Sequence, residues 1–261
     1  MTRRTIITGA SSGIGHALAI ELARRGHSLA LLARRTELLD QLASELKARG
    51  SSAVAISCDV SDRDSVREAV KAGEDALGGS FDLAIANAGV SIPGHASKFS
   101  LDDAERVIRV NVLGMFYLFD AVIPRMVERG EGRFVGVASV AGLRGLPTAG
   151  PYSASKAAMQ AFLESSRIEL APYGVGVTIV NPGFVATPMT EKNRFRMPFL
   201  MQADQSAAVI ADGIERGARL VEFPRPMSML MRLLRLVPDA IYDRATIPYA
   251  RRKLDPSRVK R

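Results

Sequence analysis

The stretch Thr8-Gly9-Ala10-Ser11-Ser12-Gly13-Ile14-Gly15 decides how this chain folds. A short β-branched run, Arg4–Thr8, leads into it, and Ile14, Leu18 and Leu22 follow at helical spacing. A glycine-rich turn between a strand and a helix lets backbone approach a pyrophosphate, whose charge then faces the helix N-terminus. The spacing is TGxxxGxG, not the general dinucleotide fingerprint GxGxxG, and three glycines also suit an ordinary turn. Their place between a strand and a long helix favours phosphate binding. Gly9, Ser11, Ser12, Gly13, Ile14 and Gly15 are therefore the first expected cofactor contacts.

Outward from that turn, short apolar runs alternate with helical patterns. Strands are expected at Arg4–Thr8, Ser28–Ala33, Ala53–Cys58, Asp82–Ala86, Arg133–Ala138, Val175–Val180 and Arg219–Phe223. Runs apolar throughout, such as Leu29–Leu32 and Phe134–Val137, suit a sheet covered on both faces. Regular β-α alternation means an α/β fold, a Rossmann-like, doubly wound, mostly parallel sheet of about seven strands. Residues 1–223 read as one catalytic domain, and 224–261 as a helical extension packed on that domain or on a partner subunit. Ligands of such sheets bind beyond the carboxyl ends of the strands. That rule selects the turn at 8–15, then Asn87-Ala88-Gly89, Ser139 and Asn181-Pro182-Gly183.

The end of the second strand discriminates between cofactors. A site for NAD usually carries an acidic residue about 20 positions past the glycines, bonded to the ribose 2′-hydroxyl. Here the strand runs Leu31-Leu32-Ala33-Arg34-Arg35, with Ala33 where that acid would stand. A carboxylate repels a 2′-phosphate, whereas arginine grips one through charge-assisted bonds. The expectation is NADP(H), with Arg34 favoured over Arg35 as main contact. Asp59 could bond the adenine amine or serve a helix N-terminus, and Val60 follows it.

Tyr152 and Lys156 stand at i and i+4 and share one helix face. A free tyrosine, with a pKa near ~10, is a poor acid–base catalyst at neutral pH. A neighbouring ammonium would stabilise the phenolate; a fall of ~3 pKa units corresponds to about 4 kcal/mol. Ser139, at a strand end, could donate to a substrate oxygen.

These motifs together, TGASSGIG at 8–15, CDV at 58–60, NAG at 87–89, NVLG at 111–114, Ser139, YSASK at 152–156 and NPG at 181–183, resemble the compact branch of the short-chain dehydrogenase/reductase family. The resemblance covers residues 5 to about 223. It implies an oxidoreductase interconverting a carbonyl and an alcohol, similar to carbonyl reductases and alcohol dehydrogenases. By that resemblance Tyr152 is the general acid in reduction and base in oxidation. Lys156 binds the nicotinamide ribose and tunes Tyr152, Ser139 orients substrate, and Asn111 holds a water in the proton relay. Asn87, Ala88 and Gly89 flank the cofactor, while Pro182, Gly183, Val185 and Thr187 line its nicotinamide and phosphates. A substrate pocket of Ser139, Ala141, Tyr152, Gly183, Phe184 and Met189 is implied, as is a homodimer or homotetramer.

Composition narrows the remaining options. The single cysteine, Cys58, excludes an internal disulfide, reads as a buried structural thiol and suits a reducing, cytoplasmic setting. The N-terminus enters a strand pattern within a few residues, too soon for a signal peptide. No apolar run approaches the ~18–20 residues of a bilayer span. His16 and His27 read as helix-surface and turn residues, His95 could reach the site, and no metal-ligand cluster is evident. Arg144 reads as a solvated surface residue or a contact for an acidic substrate. The loop Phe184–Ala203, with Met189, Phe195, Met197, Phe199, Leu200 and Met201, suits a lipophilic substrate or ordinary core packing.

The net charge of +8 has one source: residues 1–215 hold 23 basic and 23 acidic side chains, and 216–261 hold 12 and 4. At about 100° per residue, Ser228, Arg232, Arg235 and Asp239 form one stripe on an otherwise apolar helix. Packing within the protein covers such an arc; peripheral contact with an anionic membrane, reinforced by Arg251-Arg252-Lys253 and Arg258–Arg261, is the second account. Nucleic-acid binding is not expected, because the basic residues lack interleaved aromatics. The rival to an enzyme is a non-catalytic NADP(H)-binding sensor or scaffold that engages a partner through this segment.

Overall fold

Alternate residues of each central strand face opposite ways, and both ways are dry. Ile7, Leu29, Leu31, Ile85, Val135 and Val180 enter one apolar cluster; Ile6, Ala30, Leu32, Ala84, Phe134 and Ile179 enter another on the far side. A period of two with every position apolar is what a sheet covered on both faces requires.

The computed structural model describes residues 3–252 apart from 192, 194 and 195. Its sheet is built from β1 (Arg4–Thr8), β2 (Ser28–Ala33), β3 (Ala53–Ser57), β4 (Leu83–Ala86), β5 (Gly132–Val137), β6 (Val175–Pro182) and β7 (Leu220–Phe223). All pairs are parallel, in the order β3-β2-β1-β4-β5-β6-β7. The expected strands are present, with ends shifted by one or two residues. Cys58 and Asp82 fall just outside, and β6 runs on to Pro182 because β7 pairs with it as far as Phe223. Strand order reverses between β1 and β4, so the chain leaves these two strands in opposite directions and a crevice opens at their carboxyl ends.

Helices α1 (Gly13–Arg24), α2 (Thr36–Ala48) and α7 (Ala203–Glu215) supply residues to the first cluster. Helices α3 (Arg63–Leu77), α5 (Gly114–Arg129) and α6 (Gly150–Leu170) supply the second. Helix α4 (Leu101–Ile108) continues through a π-helical turn at Arg109–Leu113 into α5. This run, Leu101–Arg129, is 29 residues long and apolar enough to cross a bilayer on those grounds, contrary to the sequence expectation. Its buried side chains, among them Met115, Leu118, Val122 and Met126, instead belong to the second core cluster, and α5 packs on α3, β4 and β5.

Helices α8 (Arg225–Leu236) and α9 (Asp239–Arg252) follow β7. Met227 and Met231 of α8 pack with Val140, Leu143, Leu146, Phe184 and Leu234 in a third, smaller cluster. The expected polar stripe does not hold as one face: α8 ends at Leu236, Asp239 opens α9, and Arg232 and Arg235 are exposed beside a buried Ser228. Arg232 Nε donates to Glu222 Oε2 at 2.9 Å. Met229, Leu233 and Leu236 face outward, 64%, 62% and 79% exposed. Glu222 of β7, itself largely buried, holds Arg232, whose side chain stays 57% exposed, while Met227 and Met231 form the side of α8 that packs on the body. The side chains of Arg251 and Arg252, residues 253–261 with their basic cluster, and Phe195 lie outside the described residues.

Candidate active site

The crevice is a cavity of about 480 Å³. Gly9 and Gly13 adopt the left-handed conformation, with φ of +70° and +60°, which turns the chain from β1 into α1. The Gly9 amide donates to the Leu32 carbonyl at 2.8 Å, holding the turn against the end of β2. Gly15 serves packing. A Cβ there would strike the Gly9 carbonyl oxygen and Asn87 Nδ2, so the first turn of α1 lies directly on the preceding loop and on the exit of β4. Asn87 Nδ2 fastens that junction with bonds to Thr8 O at 3.0 Å and Gly9 O at 3.3 Å. Ser12 stands at the N-cap of α1 without a side-chain cap bond, so its hydroxyl is not tied to the helix.

The two arginines after β2 differ. Arg35 Nη2 donates to Ser11 Oγ at 2.9 Å and Ser12 Oγ at 2.7 Å, which lays its guanidinium across the glycine turn. Arg34 lies 3.9 Å from Asp59 Oδ2 and is more than half exposed. Both line the cavity beside Ala33, and no acid stands at the β2 end. Asp59 accepts from the Ser61 amide at 3.0 Å and hydroxyl at 2.7 Å. Burial works against its charge, but those bonds and Arg34 outweigh it and hold the carboxyl below its ordinary range. The N-cap of α3 is Asp62, which leaves Asp59 facing the cavity. Burial pushes the Cys58 thiol up to about 11, the property of a structural cysteine.

At the other end of the cavity stand Ser139, Tyr152 and Lys156. Ser139 ends the β5 exit. Its Oγ accepts from the Ala141 amide at 3.1 Å and donates to Pro182 O at 3.3 Å, fixing the rotamer. Gln160, one turn beyond Lys156, donates to Ser139 O at 2.7 Å and Asn181 Oδ1 at 3.0 Å. Lys156 Nζ donates to Val137 O at 2.8 Å and lies 5.8 Å from the Tyr152 ring centroid. Burial lowers Lys156 to about 7. Burial also raises Tyr152, while the hydrogen bond with Ser139 pulls the other way. The expected lowering of the phenol by its lysine is thus not a property of the chain alone. The same dry surroundings that bring the two groups together penalise both charges.

Asn111 lies behind the cavity, in the π-helical turn. Its amide donates to Val90 O at 3.0 Å and Ser155 Oγ at 2.9 Å, and its Oδ1 accepts from Val90 N at 2.8 Å. A Cβ on Gly89 would lie 3.3 Å from that Oδ1 and 3.6 Å from Lys156 Nζ, so both polar atoms face one spot.

The cavity gathers Gly9, Ser11, Ser12, Gly13, Ile14, Arg34, Arg35, Asp59, Val60, Asn87, Ala88, Gly89, Pro182, Gly183, Val185, Thr187 and Met189, besides the three at its catalytic end. Gly15, Asn111, Ala141 and Phe184 are not in its wall; Phe184 packs in the cluster under α8. Val90, Val110, Pro188 and Thr190 line it without having been anticipated. His95 instead caps a short exposed turn through Ser97, and His27 is buried on Thr5 Oγ1 at 2.7 Å. Arg144 is largely buried and lies outside the cavity. It donates to the carbonyls of Leu234, Arg235 and Val237 and to Asp239, and stacks 4.2 Å over the Tyr242 ring. The end of α8 presents unpaired carbonyls and partial negative charge, which draw a guanidinium.

The family model described as short chain dehydrogenase matches residues 3–197. The chain belongs to the short-chain dehydrogenase family. The chain is 40% identical over 243 residues to an uncharacterized oxidoreductase of Myxococcus xanthus, covering 93% of this chain and 96% of that one. It is 36% identical over 187 residues to a 3-oxoacyl-[acyl-carrier-protein] reductase of Synechocystis, covering 71% and 75%. Among solved structures, a short-chain dehydrogenase/reductase from Burkholderia phymatum in complex with NAD aligns with a TM-score of 0.83 at 26% identity, over 98% and 97% of the two chains.

Proposed function

We propose that this protein interconverts a carbonyl and an alcohol with NADP(H), Tyr152 acting as general acid and base. The observation that carries the reading is one cavity with a phosphate-type turn and two arginines at one end and Ser139, Tyr152 and Lys156 at the other. The residues fit such a cofactor. The turn offers the N-terminus of α1, Arg35 lies over it, and Ala33 leaves a 2′-phosphate unopposed. When bound, the nicotinamide supplies the hydride in reduction and takes it up in oxidation.

The chain's own residues handle the oxygen and the proton. Ser139 Oγ, held by the Ala141 amide, orients the carbonyl oxygen beside the phenol. Burial favours the neutral form of Tyr152, so its hydroxyl gives a proton to the substrate oxygen in reduction; in oxidation the phenolate takes the proton of the alcohol. Lys156 and Asn111 Oδ1, facing the same spot beside Gly89, continue the proton path away from the phenol. Val90 and Met189 give the substrate end apolar walls, which suits a lipophilic carbonyl; the 3-oxoacyl reductase relative acts on a carbonyl carried by an acyl chain. Assembly into a dimer or tetramer belongs to the same reading, with Leu101 and Ile168, exposed on packed helices α4 and α6, as apolar surface for it.

The test is NADPH oxidation against carbonyls from small polar ketones to long-chain 3-oxoacyl thioesters, with NADH as second cofactor and Tyr152→Phe beside the wild type. Turnover on the lipophilic members, abolished by the substitution and poor with NADH, is expected. Silence from protein that still binds NADPH would favour the sensor reading.

A further inference from the structure

Among the described residues, nothing covers a set of apolar side chains on α8 and α9. Met229, Leu230, Leu233 and Leu236 share the outer side of α8 by their spacing, as a ridge, and Ile241 and Ile247 are exposed on α9; all six are 45% exposed or more. The opposite side of α8 is committed to the body through Met227 and Met231. The ridge is therefore fixed in direction, and Arg144 holds the α8–α9 junction by its bonds to Leu234, Arg235, Val237 and Asp239. Contiguous apolar surface held out to solvent marks a contact site.

Charge decides the occupant. Arg225, Arg235 and Arg244 are exposed on the same two helices. Two of the local acids are turned to arginines of the body side, Glu222 to Arg232 and Asp239 to Arg144, so that Asp243 alone among the described acids of these helices is outside an ion pair. Residues 216–261 carry 12 basic and 4 acidic side chains. A second copy docked on this ridge about a two-fold axis would bring the same basic segment against itself. An anionic bilayer satisfies both features: apolar side chains enter the acyl boundary while arginines meet lipid phosphates.

We propose that α8 and α9 dock this protein peripherally on an anionic membrane surface through the Met229–Leu233–Leu236 ridge. The proposal stands apart from the catalytic reading, since no residue of the ridge lines the cavity.

Flotation of the full-length protein with vesicles of phosphatidylcholine and phosphatidylglycerol in equal parts tests it, with pure phosphatidylcholine vesicles alongside. The wild type is expected to float with the anionic vesicles only, and to be released by high salt. Leu233→Glu/Leu236→Glu, at exposed positions the fold tolerates, lowers the partition about tenfold or more, and Arg225→Glu/Arg235→Glu does the same. Circular dichroism and NADPH binding check that the variants are folded. Protein that stays unbound to anionic vesicles overturns the proposal. So does a wild-type dimer in sedimentation that Leu233→Glu/Leu236→Glu converts to monomer without any flotation, which assigns the ridge to a second copy.

Discussion

Arg35 Nη2 lies 2.7 Å from Ser12 Oγ, so the guanidinium after β2 is already seated on the turn that opens α1. A seated cation loses less side-chain freedom on meeting a phosphate than one that must be gathered from solvent. Arg34, paired at 3.9 Å with Asp59, is the less committed of the two, and we assign Arg35 the leading contact, the reverse of the order favoured by sequence. Arg35→Ala is expected to raise the KM for NADPH roughly ten- to a hundredfold, the loss of about 1.5–3 kcal/mol for a charged hydrogen bond. The KM for NADH should move little. Equal losses with both cofactors would show that Arg35 shapes the turn and does not read the 2′-phosphate.

Lys156 sets a pH-dependent stability. Its ammonium is depressed to about 7 in the folded protein, whereas the unfolded chain titrates near the ordinary 10.5. Between those values the unfolded state holds the extra proton, so stability rises with pH across that window. Below it both states are protonated and the folded protein bears the full cost of a buried charge. Lys156→Met, which removes the charge and keeps the stem, should therefore raise the Tm of the cofactor-free protein at pH near 6 and raise it less near 10. Thermal unfolding across that range checks it, and a gain independent of pH would place the lysine's charge in water.

Much of this was legible in the sequence because it is written in local chemistry. A left-handed Gly9 and Gly13 and the one-turn spacing of Tyr152 and Lys156 depend on near neighbours. Strand positions were readable because burial on both faces makes the runs mostly apolar, with only a few small polar residues such as Thr5 and Thr178 buried among them. What escaped was long-range. Arg144 meets its partners some 90 residues on, so nothing nearby distinguishes it from a solvated arginine. Periodicity ran one stripe through Ser228, Arg232, Arg235 and Asp239, whereas α8 ends at Leu236 and Asp239 opens α9; nor could it show that Glu222, ten residues back, would hold Arg232. Burial, invisible in a motif, decides the direction in which Tyr152 and Lys156 shift.

Gly15 is held to glycine by protein contacts. A methyl group there meets the Gly9 carbonyl and Asn87 Nδ2, two groups bonded to each other. The turn must move away from β4 to admit it. Gly15→Ala should cost about 1–3 kcal/mol, the usual range for overpacking, or a fall in Tm of roughly 2–4 °C per kcal/mol for a chain of this size. NADPH affinity should fall with it, because displacing the turn displaces Ser12 and Arg35. A stable variant with intact affinity would mean that the loop yields at no cost.

Gln160 reaches the reaction through Ser139. Its Nε2 supplies hydrogens to Ser139 O and to Asn181 Oδ1, and Asn181 Nδ2 in turn donates to Glu222 Oε1 at 3.0 Å. Two acceptors thus converge on one amide nitrogen, and only a donor can stand there. Gln160→Leu leaves both acceptors short, at about 1–3 kcal/mol for an unsatisfied buried group, and frees the peptide that carries Ser139. The expected result is a kcat lower by about tenfold, with the KM for NADPH unchanged because no cofactor contact is lost. Gln160→Glu separates position from bulk. Ionised, it turns a carboxylate toward two oxygens; protonated, it can still donate to one of them. Its kcat relative to wild type should therefore recover as pH falls through the carboxyl range, while that of Gln160→Leu stays flat. Parallel pH profiles for the two variants would mean that Gln160 only fills space beneath the serine.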